Sequence, residues 1–206
     1  MVEEKKIIII LSVFLFSGCS GDFKEIRDKY KEVQDSRSGK SKHETIIPSD
    51  QLPVSSQRMQ EYINAVNNMR SQPQDCGVYG IMPAVVALTW NESLYGAAYE
   101  HSQDMASMNY FSHTGSGTVS DWTASGYNLN RGSVVQDRAT YNGFGGLAGE
   151  NIAAGQKSLD SVMAELIASD GHCKNLMYAK YRTFGMAMVS NSNSQYITYW
   201  TQVFGL

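Results

Sequence analysis

Three stretches of the chain place apolar residues at the three- and four-residue spacing of an amphipathic helix. The first runs from Arg58 to Arg70. The second begins near Asn91, and either a Thr89–Glu92 capping box or Asn91 itself would cap its first turn. The third runs from Ser158 to Ser169, and Gly171 is expected to end it. The pattern therefore predicts three helices that each bury one face.

Alternating apolar and polar residues predict two strands near the C-terminus. They run from Phe184 to Ser190 and from Tyr196 to Phe204, with a polar turn at 191–194. The aromatic segment Asn109 to His113 predicts a further short strand that enters a cleft. Residues 115–149 are rich in Gly, Ser, Thr and Asn and lack periodicity, so we expect a covering loop. Helices at both ends and a late hairpin predict an α+β fold, with an antiparallel sheet covered by helices.

The N-terminal part of the chain has the pattern of an export signal followed by a tether. Residues 1–18 contain two lysines and then an apolar run that is shorter than the roughly 20 residues of a transmembrane helix. Small residues before Cys19 resemble a bacterial lipobox, which predicts lipidation of Cys19; a buried N-terminal strand is the alternative. Residues 19–55 are polar and predict a tether, which leaves 56–206 as one folded domain.

Charge and cysteine content narrow the picture further. The net charge of −3 gives no electrostatic argument for a nucleic-acid partner. The chain has three cysteines, and with Cys19 assigned to lipid, Cys76 and Cys173 are a candidate disulfide pair in an exported protein. Such a bridge would stabilise the fold by on the order of 4–5 kcal/mol in the chain-entropy model. Two free thiols are the alternative.

Two imidazoles and one carboxylate form the candidate chemistry. His113, Glu150 and His172 could together bind a divalent cation or move a proton. His101 falls on the apolar face of the second helix, so we interpret it as a hydrogen-bonded core histidine rather than a catalytic group. The three candidates lie next to small residues in three separate segments: Phe111-Ser112-His113, Gly149-Glu150-Asn151 and Gly171-His172-Cys173-Lys174-Asn175.

An ordered set of motifs from about Glu61 to Phe204 resembles the CAP superfamily, also called SCP or cysteine-rich secretory protein-like domains. The chain looks most like the short bacterial members. The resemblance implies a three-layer α-β-α sandwich with a central antiparallel sheet and a cleft. The motifs are Leu88-Thr89-Trp90-Asn91, His101-Ser102-Gln103-Asp104-Met105-Ala106, Tyr110-Phe111-Ser112-His113-Thr114-Gly115, Gly126-Tyr127, Gly149-Glu150-Asn151-Ile152-Ala153, Ser169-Asp170-Gly171-His172-Cys173-Lys174-Asn175 and Tyr199-Trp200-Thr201-Gln202-Val203-Phe204.

The resemblance implies a cleft tetrad of two histidines and two acidic residues. His113, Glu150 and His172 match three of the four positions, but Ser169 stands at the second acidic position. The site would therefore offer three ligands. Glu165, one turn before Ser169 on the same helix, could replace the missing acid, although a surface glutamate is the simpler interpretation.

Three smaller features of the family are also compared with this chain. Asn151 and Ser169 are expected to support the cleft. The family's Cys-Gly and Gly-His-Cys motifs match Cys76-Gly77 and Gly171-His172-Cys173, which supports the Cys76–Cys173 bridge. An arginine that is common before the Gly-Tyr motif is absent, since Asp121-Trp122 lies in that region.

Three functional hypotheses follow from the resemblance and the residues. The first is a lipid-anchored binding module of the bacterial cell envelope that takes Zn²⁺ or another divalent cation, or a lipid or host component. In it Glu150 is a ligand or orients a histidine. The second is a metal-dependent hydrolase with Glu150 as general base; Ser112 and Ser169 lack a nucleophile-elbow sequence. In the third, the cleft residues are structural and loop 115–149 contacts a protein partner.

Overall fold

Two long antiparallel strands form the centre of a four-stranded sheet. Strands β5 (Thr183–Ser190) and β6 (Thr198–Gly205) pair along their whole length. Strand β4 (Ala148–Ala154) adds to the other side of β6, also antiparallel. The two-residue strand β3 (Thr89–Trp90) pairs with β5 in parallel, which gives the order β3-β5-β6-β4. The sheet is thus antiparallel as predicted, except for this short edge strand.

This computed structural model describes residues 54–206. The predicted signal, Cys19 and nearly all of the predicted tether lie outside the described residues. Within 54–206, no helix combines the length and the apolar character that crossing a membrane requires. The remaining elements are the helices α1 (Ser56–Arg70), α2 (Glu92–Met108), α3 (Trp122–Gly126), α4 (Val135–Tyr141), α5 (Leu159–Ala168) and α6 (Asp170–Leu176), a 3₁₀ turn at Gly77–Tyr79, and a small hairpin of β1 (Gln74–Asp75) and β2 (Ile81–Met82).

Helices cover both faces of the sheet, so the layers are α-β-α as expected. On one face, α2 packs against Ile152, Val189 and Val203. On the other face, α1 and α5 pack against Met186 and Trp200. Because neighbouring residues of a strand point to opposite faces, each strand supplies both cores.

Helix α2 confirms one of its two predicted caps. The Asn91 side chain accepts a hydrogen bond from the Leu94 N–H at 3.1 Å, so Asn91 is the N-cap. The Thr89–Glu92 capping box does not form, because Thr89 belongs to β3. The helix lies close to the sheet at Gly185, where a Cβ would collide with the backbone nitrogen of Tyr95.

Three local predictions were wrong. Asn109 to His113 is not a strand, and the predicted loop 115–149 contains α3 and α4 as well as the start of β4. Gly171 does not end a helix. Helix α5 ends at Ala168 because Ser169 takes an extended backbone conformation, and α6 begins directly afterwards.

Two buried carboxylates order the segment that lacked periodicity. Asp104 of α2 accepts hydrogen bonds from the Ser116 N–H at 2.7 Å and the Tyr110 hydroxyl at 2.5 Å. Asp121 accepts from the N–H groups of Ser133 at 2.8 Å and Gly117 at 3.1 Å. These polar contacts take the place of an apolar face.

Candidate functional site

Glu150 lies at the centre of the site on β4, with its side chain on the face that α2 covers. The side chain is only 3% exposed. Its Oε2 accepts from Arg138 Nη2 at 2.7 Å, and its Oε1 lies 2.9 Å from His113 Nδ1. The Nε2 of His101 is 3.8 Å from the same Oε1. Glu150 is therefore surrounded by three nitrogen-bearing side chains.

Arg138 of α4 is the residue that the sequence analysis missed. It is almost fully buried and donates to the Ser133 carbonyl at 2.8 Å and the His113 carbonyl at 3.1 Å, as well as to Glu150. A buried carboxylate requires a positive partner. Segment 115–149 contains two cationic residues, Arg131 and Arg138. The need for a positive partner of Glu150 would therefore have left two candidates in this segment.

The charges around Glu150 fix its ionisation. Burial by itself would raise the pKa of Glu150, but Arg138, His101 and His113 outweigh burial and lower this pKa to about 2. The group is thus a carboxylate at neutral pH, with both oxygens hydrogen-bonded. Such a carboxylate holds a proton too weakly to act as an effective general base.

His101 is a hydrogen-bonded core histidine, as predicted. It is fully buried, and its Nε2 donates to the Ser112 carbonyl at 2.8 Å. Its Nδ1 has no hydrogen-bond partner among residues 54–206. Burial is the main cause that lowers the pKa of His101, to about 4, so the ring is neutral. This histidine fixes segment 112–113 rather than facing the cleft.

His113 has the opposite environment. Its side chain is 59% exposed, and a carboxylate oxygen lies against Nδ1. Because Glu150 is ionised and can only accept, Nδ1 carries the proton. In the neutral ring, Nε2 is then the nitrogen with a free lone pair.

His172 lies on α6, which is fixed to β4 by amide side chains. Asn151 Nδ2 donates to the His172 carbonyl at 3.2 Å, and Asn175 Nδ2 donates to the Glu150 carbonyl at 3.0 Å. The Cys76–Cys173 disulfide, with a Cα–Cα distance of 5.3 Å, joins α6 to the loop before β2. The predicted disulfide is confirmed, and Asn151 contacts the backbone of His172.

The pKa of His172 depends on two other residues that the sequence analysis proposed for the site, His113 and Glu165. Burial first, and then His113, lower the pKa of His172, while Glu165 opposes both. Glu165 is exposed, and its Oε2 accepts from Gln156 Nε2 at 2.6 Å. Ser169 lies between α5 and α6, and its carbonyl accepts from the Cys173 N–H. Its hydroxyl does not cap α6.

A metal ion in this cleft would have to be held by the imidazoles of His113 and His172. Within residues 54–206, no group of three or more His, Cys, Asp or Glu side chains is placed to hold a metal ion. Glu150 already meets a guanidinium and an imidazole, which leaves little room for a cation on its oxygens. The exposed ring of His113 and the half-buried ring of His172 are suitable donors.

Comparison with solved structures shows that this fold is similar to that of two bacterial proteins. An extracellular protein containing a SCP domain from Bacillus anthracis str. Ames is similar with a TM-score of 0.51 and 25% identity, over 74% of this chain and 44% of that chain. An outer surface protein from Borrelia burgdorferi gives a TM-score of 0.53 and 16% identity, over 73% of this chain and 92% of that one. At this identity, the similarity to the Borrelia burgdorferi protein shows a shared fold and nothing more.

Sequence comparison gives the family. The protein YkwD of Bacillus subtilis (strain 168) is 30% identical over 114 residues, which cover 55% of this chain and 37% of YkwD. The chain thus spans well under half of that relative's length. The family model described as Cysteine-rich secretory protein family, CAP, matches residues 63–204. The chain belongs to the CAP, or cysteine-rich secretory protein, family.

Proposed function

We propose that this CAP domain is an exported binding module whose cleft takes a divalent cation between His113 and His172. The observation that carries the proposal is the 2.9 Å contact between Glu150 Oε1 and Nδ1 of the exposed His113 ring. Histidines that bind metals commonly donate their second ring nitrogen to a carboxylate, which fixes the tautomer and orients the ring.

In this arrangement Glu150 is a supporting residue rather than a ligand. Arg138 and His113 take its two oxygens. The ion pair with Arg138 keeps the carboxylate ionised and immobile, so that it can hold the His113 ring in one orientation. The same contacts make Glu150 a weak base, and the geometry therefore favours binding over hydrolysis.

His172 supplies the second nitrogen. A lowered pKa favours its neutral ring, which is the form that binds a metal ion. Glu165 raises the pKa of the same imidazole and is exposed, so its carboxylate is a candidate for an oxygen ligand. Two imidazoles favour Zn²⁺, Cu²⁺ or Ni²⁺ over Mg²⁺ and Ca²⁺, which prefer oxygen ligands.

Export is supported by the extracellular Bacillus anthracis relative. Cys19 is the residue whose lipidation would hold the chain at a membrane of the cell envelope. A lipid or host-protein ligand stays a prediction of the sequence analysis.

The test is a calorimetric Zn²⁺ titration of the full chain and its variants at neutral pH. We expect saturable binding that His113→Ala and His172→Ala each abolish. Glu150→Gln should weaken it by about 10–100-fold, since it removes the orienting charge. His43→Ala, which changes a histidine far from the cleft in sequence, is the matched control and should bind as the wild type does. The proposal would be refuted if the wild type does not bind Zn²⁺ at millimolar concentration, or if the His113 and His172 variants bind it as tightly as the wild type does.

A further inference from the structure

A second surface lies beside His113 and carries no formal charge. It is built from two segments, 105–120 and 183–206, neither of which contains Asp, Glu, Lys or Arg. We call it the neutral aromatic surface. Around its centre it exposes Met108, Asn109, Phe111, Asn193, Gln195, Tyr196 and Ile197, among other residues of these segments.

Two exposed aromatic rings form its centre. The ring centroids of Phe111 and Tyr196 are 5.9 Å apart, and the ring planes are tilted by 56°. Both are large apolar side chains that are exposed to solvent, and so are the side chains of Met108 and Ile197. Exposed aromatic residues next to one another are a common feature of recognition sites.

Side-chain hydrogen bonds make this surface rigid. Asn109 Oδ1 accepts from the Gln195 N–H at 2.6 Å, which ties the end of α2 to the β5–β6 loop. Asn191 Nδ2 donates to the Ala106 carbonyl at 2.8 Å, and the Asn191 N–H donates to the Ile197 carbonyl at 2.7 Å. Both rings are therefore presented on a fixed frame, which reduces the entropy lost on binding.

The backbone of this frame is strained at one exposed residue. Ile197 has a φ of 67°, although β-branched residues rarely adopt the left-handed region. Strain of this kind persists only where the surroundings over-determine the conformation, and it concentrates at functional sites. Here it lies directly beside Tyr196, whose ring contacts Phe111 and Tyr199.

We propose that the neutral aromatic surface binds an uncharged saccharide. A sugar ring offers C–H groups, which the negative faces of the Phe111 and Tyr196 rings attract. Its hydroxyl groups can both donate to and accept from the exposed amides of Asn193 and Gln195. A ligand of this class thus matches both kinds of group that the surface exposes.

Other ligand classes fit less well. An apolar protein face would remove water from Asn193 and Gln195 without giving their amides a hydrogen-bond partner. An anionic glycan or a phosphate would require a lysine or an arginine, and neither segment contains one. The proposed saccharide site does not depend on the proposed cation site between His113 and His172. The Phe111 and Tyr196 rings are positioned by contacts within the protein and not by a metal ion.

The experiment uses the full chain with EDTA present, so that failure of the cation proposal does not affect it. Calorimetry with chitohexaose, cellohexaose and maltohexaose should show saturable binding of at least one of them. In ¹H–¹⁵N NMR spectra, the shifted amides should lie in segments 108–111 and 193–197. A sulfated heparin hexasaccharide should not bind there.

Variants assign the binding to the two rings. Phe111→Ala and Tyr196→Ala should each weaken it by about tenfold, whereas Tyr196→Phe, which keeps the ring, should not. Tyr79→Ala removes another exposed tyrosine and is the matched control. The proposal is overturned if none of the neutral hexasaccharides binds at millimolar concentration, if binding ignores both ring variants, or if the rings instead mediate sedimentation with phosphatidylcholine vesicles.

Discussion

The two histidines of the cleft are held in place by different kinds of chemistry. His113 depends on charge, because the buried ion pair of Glu150 and Arg138 lies behind its ring. His172 depends on a covalent bridge and on amides, since Cys173 is bonded to Cys76 and Asn151 donates to the His172 carbonyl. Both supports meet at the same strand, β4.

Because the two histidines have different supports, the two sides of the cleft can be weakened separately. The charged side responds to protonation and to the loss of a single side chain, because a buried ion left unpaired is costly. The bridged side depends on the disulfide, and its ionisable contact, Asp170 accepting from the Val78 N–H at 3.0 Å, is exposed, so it responds mainly to reduction.

Removal of the buried cation should have the largest effect. Arg138→Ala leaves the Glu150 carboxylate buried without its partner, which we expect to lower the free energy of unfolding by about 3–5 kcal/mol. Denaturant unfolding monitored by circular dichroism at neutral pH measures this change.

The chain offers a control with the same geometry at the surface. Arg131 and Asp137 form an ion pair of 2.7 Å, equal in length to that of Arg138 and Glu150, but Arg131 is exposed. Arg131→Ala should leave the unfolding midpoint almost unchanged, because water solvates both groups. Equal losses in the two variants would mean that burial is not the deciding factor.

The second prediction breaks the bridged side. The double variant Cys76→Ala/Cys173→Ala should lose about 2–4 kcal/mol of unfolding free energy, because the unfolded chain is no longer cross-linked over a separation of 97 residues. This range is the typical one for disulfides and lies below the 4–5 kcal/mol of the chain-entropy model, which leaves out strain in the folded state. Cys19→Ala is the control and should not change stability. In NMR spectra of the double variant, the ring signals of His172 should move more than those of His113. The reverse order would contradict the separation of the two sides.

Much of the fold could be predicted because it follows apolar periodicity. Helices α1, α2 and α5 and the β5–β6 hairpin each bury a repeating apolar face, and the sequence analysis located all four. The Cys76–Cys173 pairing was predicted as well, since the loop and α6 carry the family's cysteine motifs.

The parts that were missed depend on polar contacts between distant residues. Segment 110–134 is ordered by Asp104 and Asp121, whose partners have no periodic spacing in the sequence. Arg138 was missed for the same reason, because its role depends on Glu150 being buried. The sequence analysis named His113 and Glu150, which lie in contact in the structure, but it could not show that Glu150 was already paired with Arg138.

The smallest predicted effect is a difference in pH dependence between the two variants. In the wild-type fold, the pKa of Glu150 is about 2, below the ordinary 4.5. Its contribution to stability is therefore complete above about pH 4.5 and is lost as the pH falls towards 2. In Arg138→Ala, burial without a cation raises this pKa, so protonation stabilises the variant at low pH.

The stability deficit of Arg138→Ala should consequently shrink as the pH is lowered, by up to about 1.4 kcal/mol per pH unit for a single group. Arg138 also lowers the pKa values of His101 and Glu100, so its removal raises both and changes the deficit in the same direction. The deficit of the cysteine variant should stay constant over the same range, because no charge is removed. A deficit of Arg138→Ala that is equally flat would mean that this arginine supports His113 through its hydrogen bonds to Ser133 and the His113 carbonyl, and not through its charge.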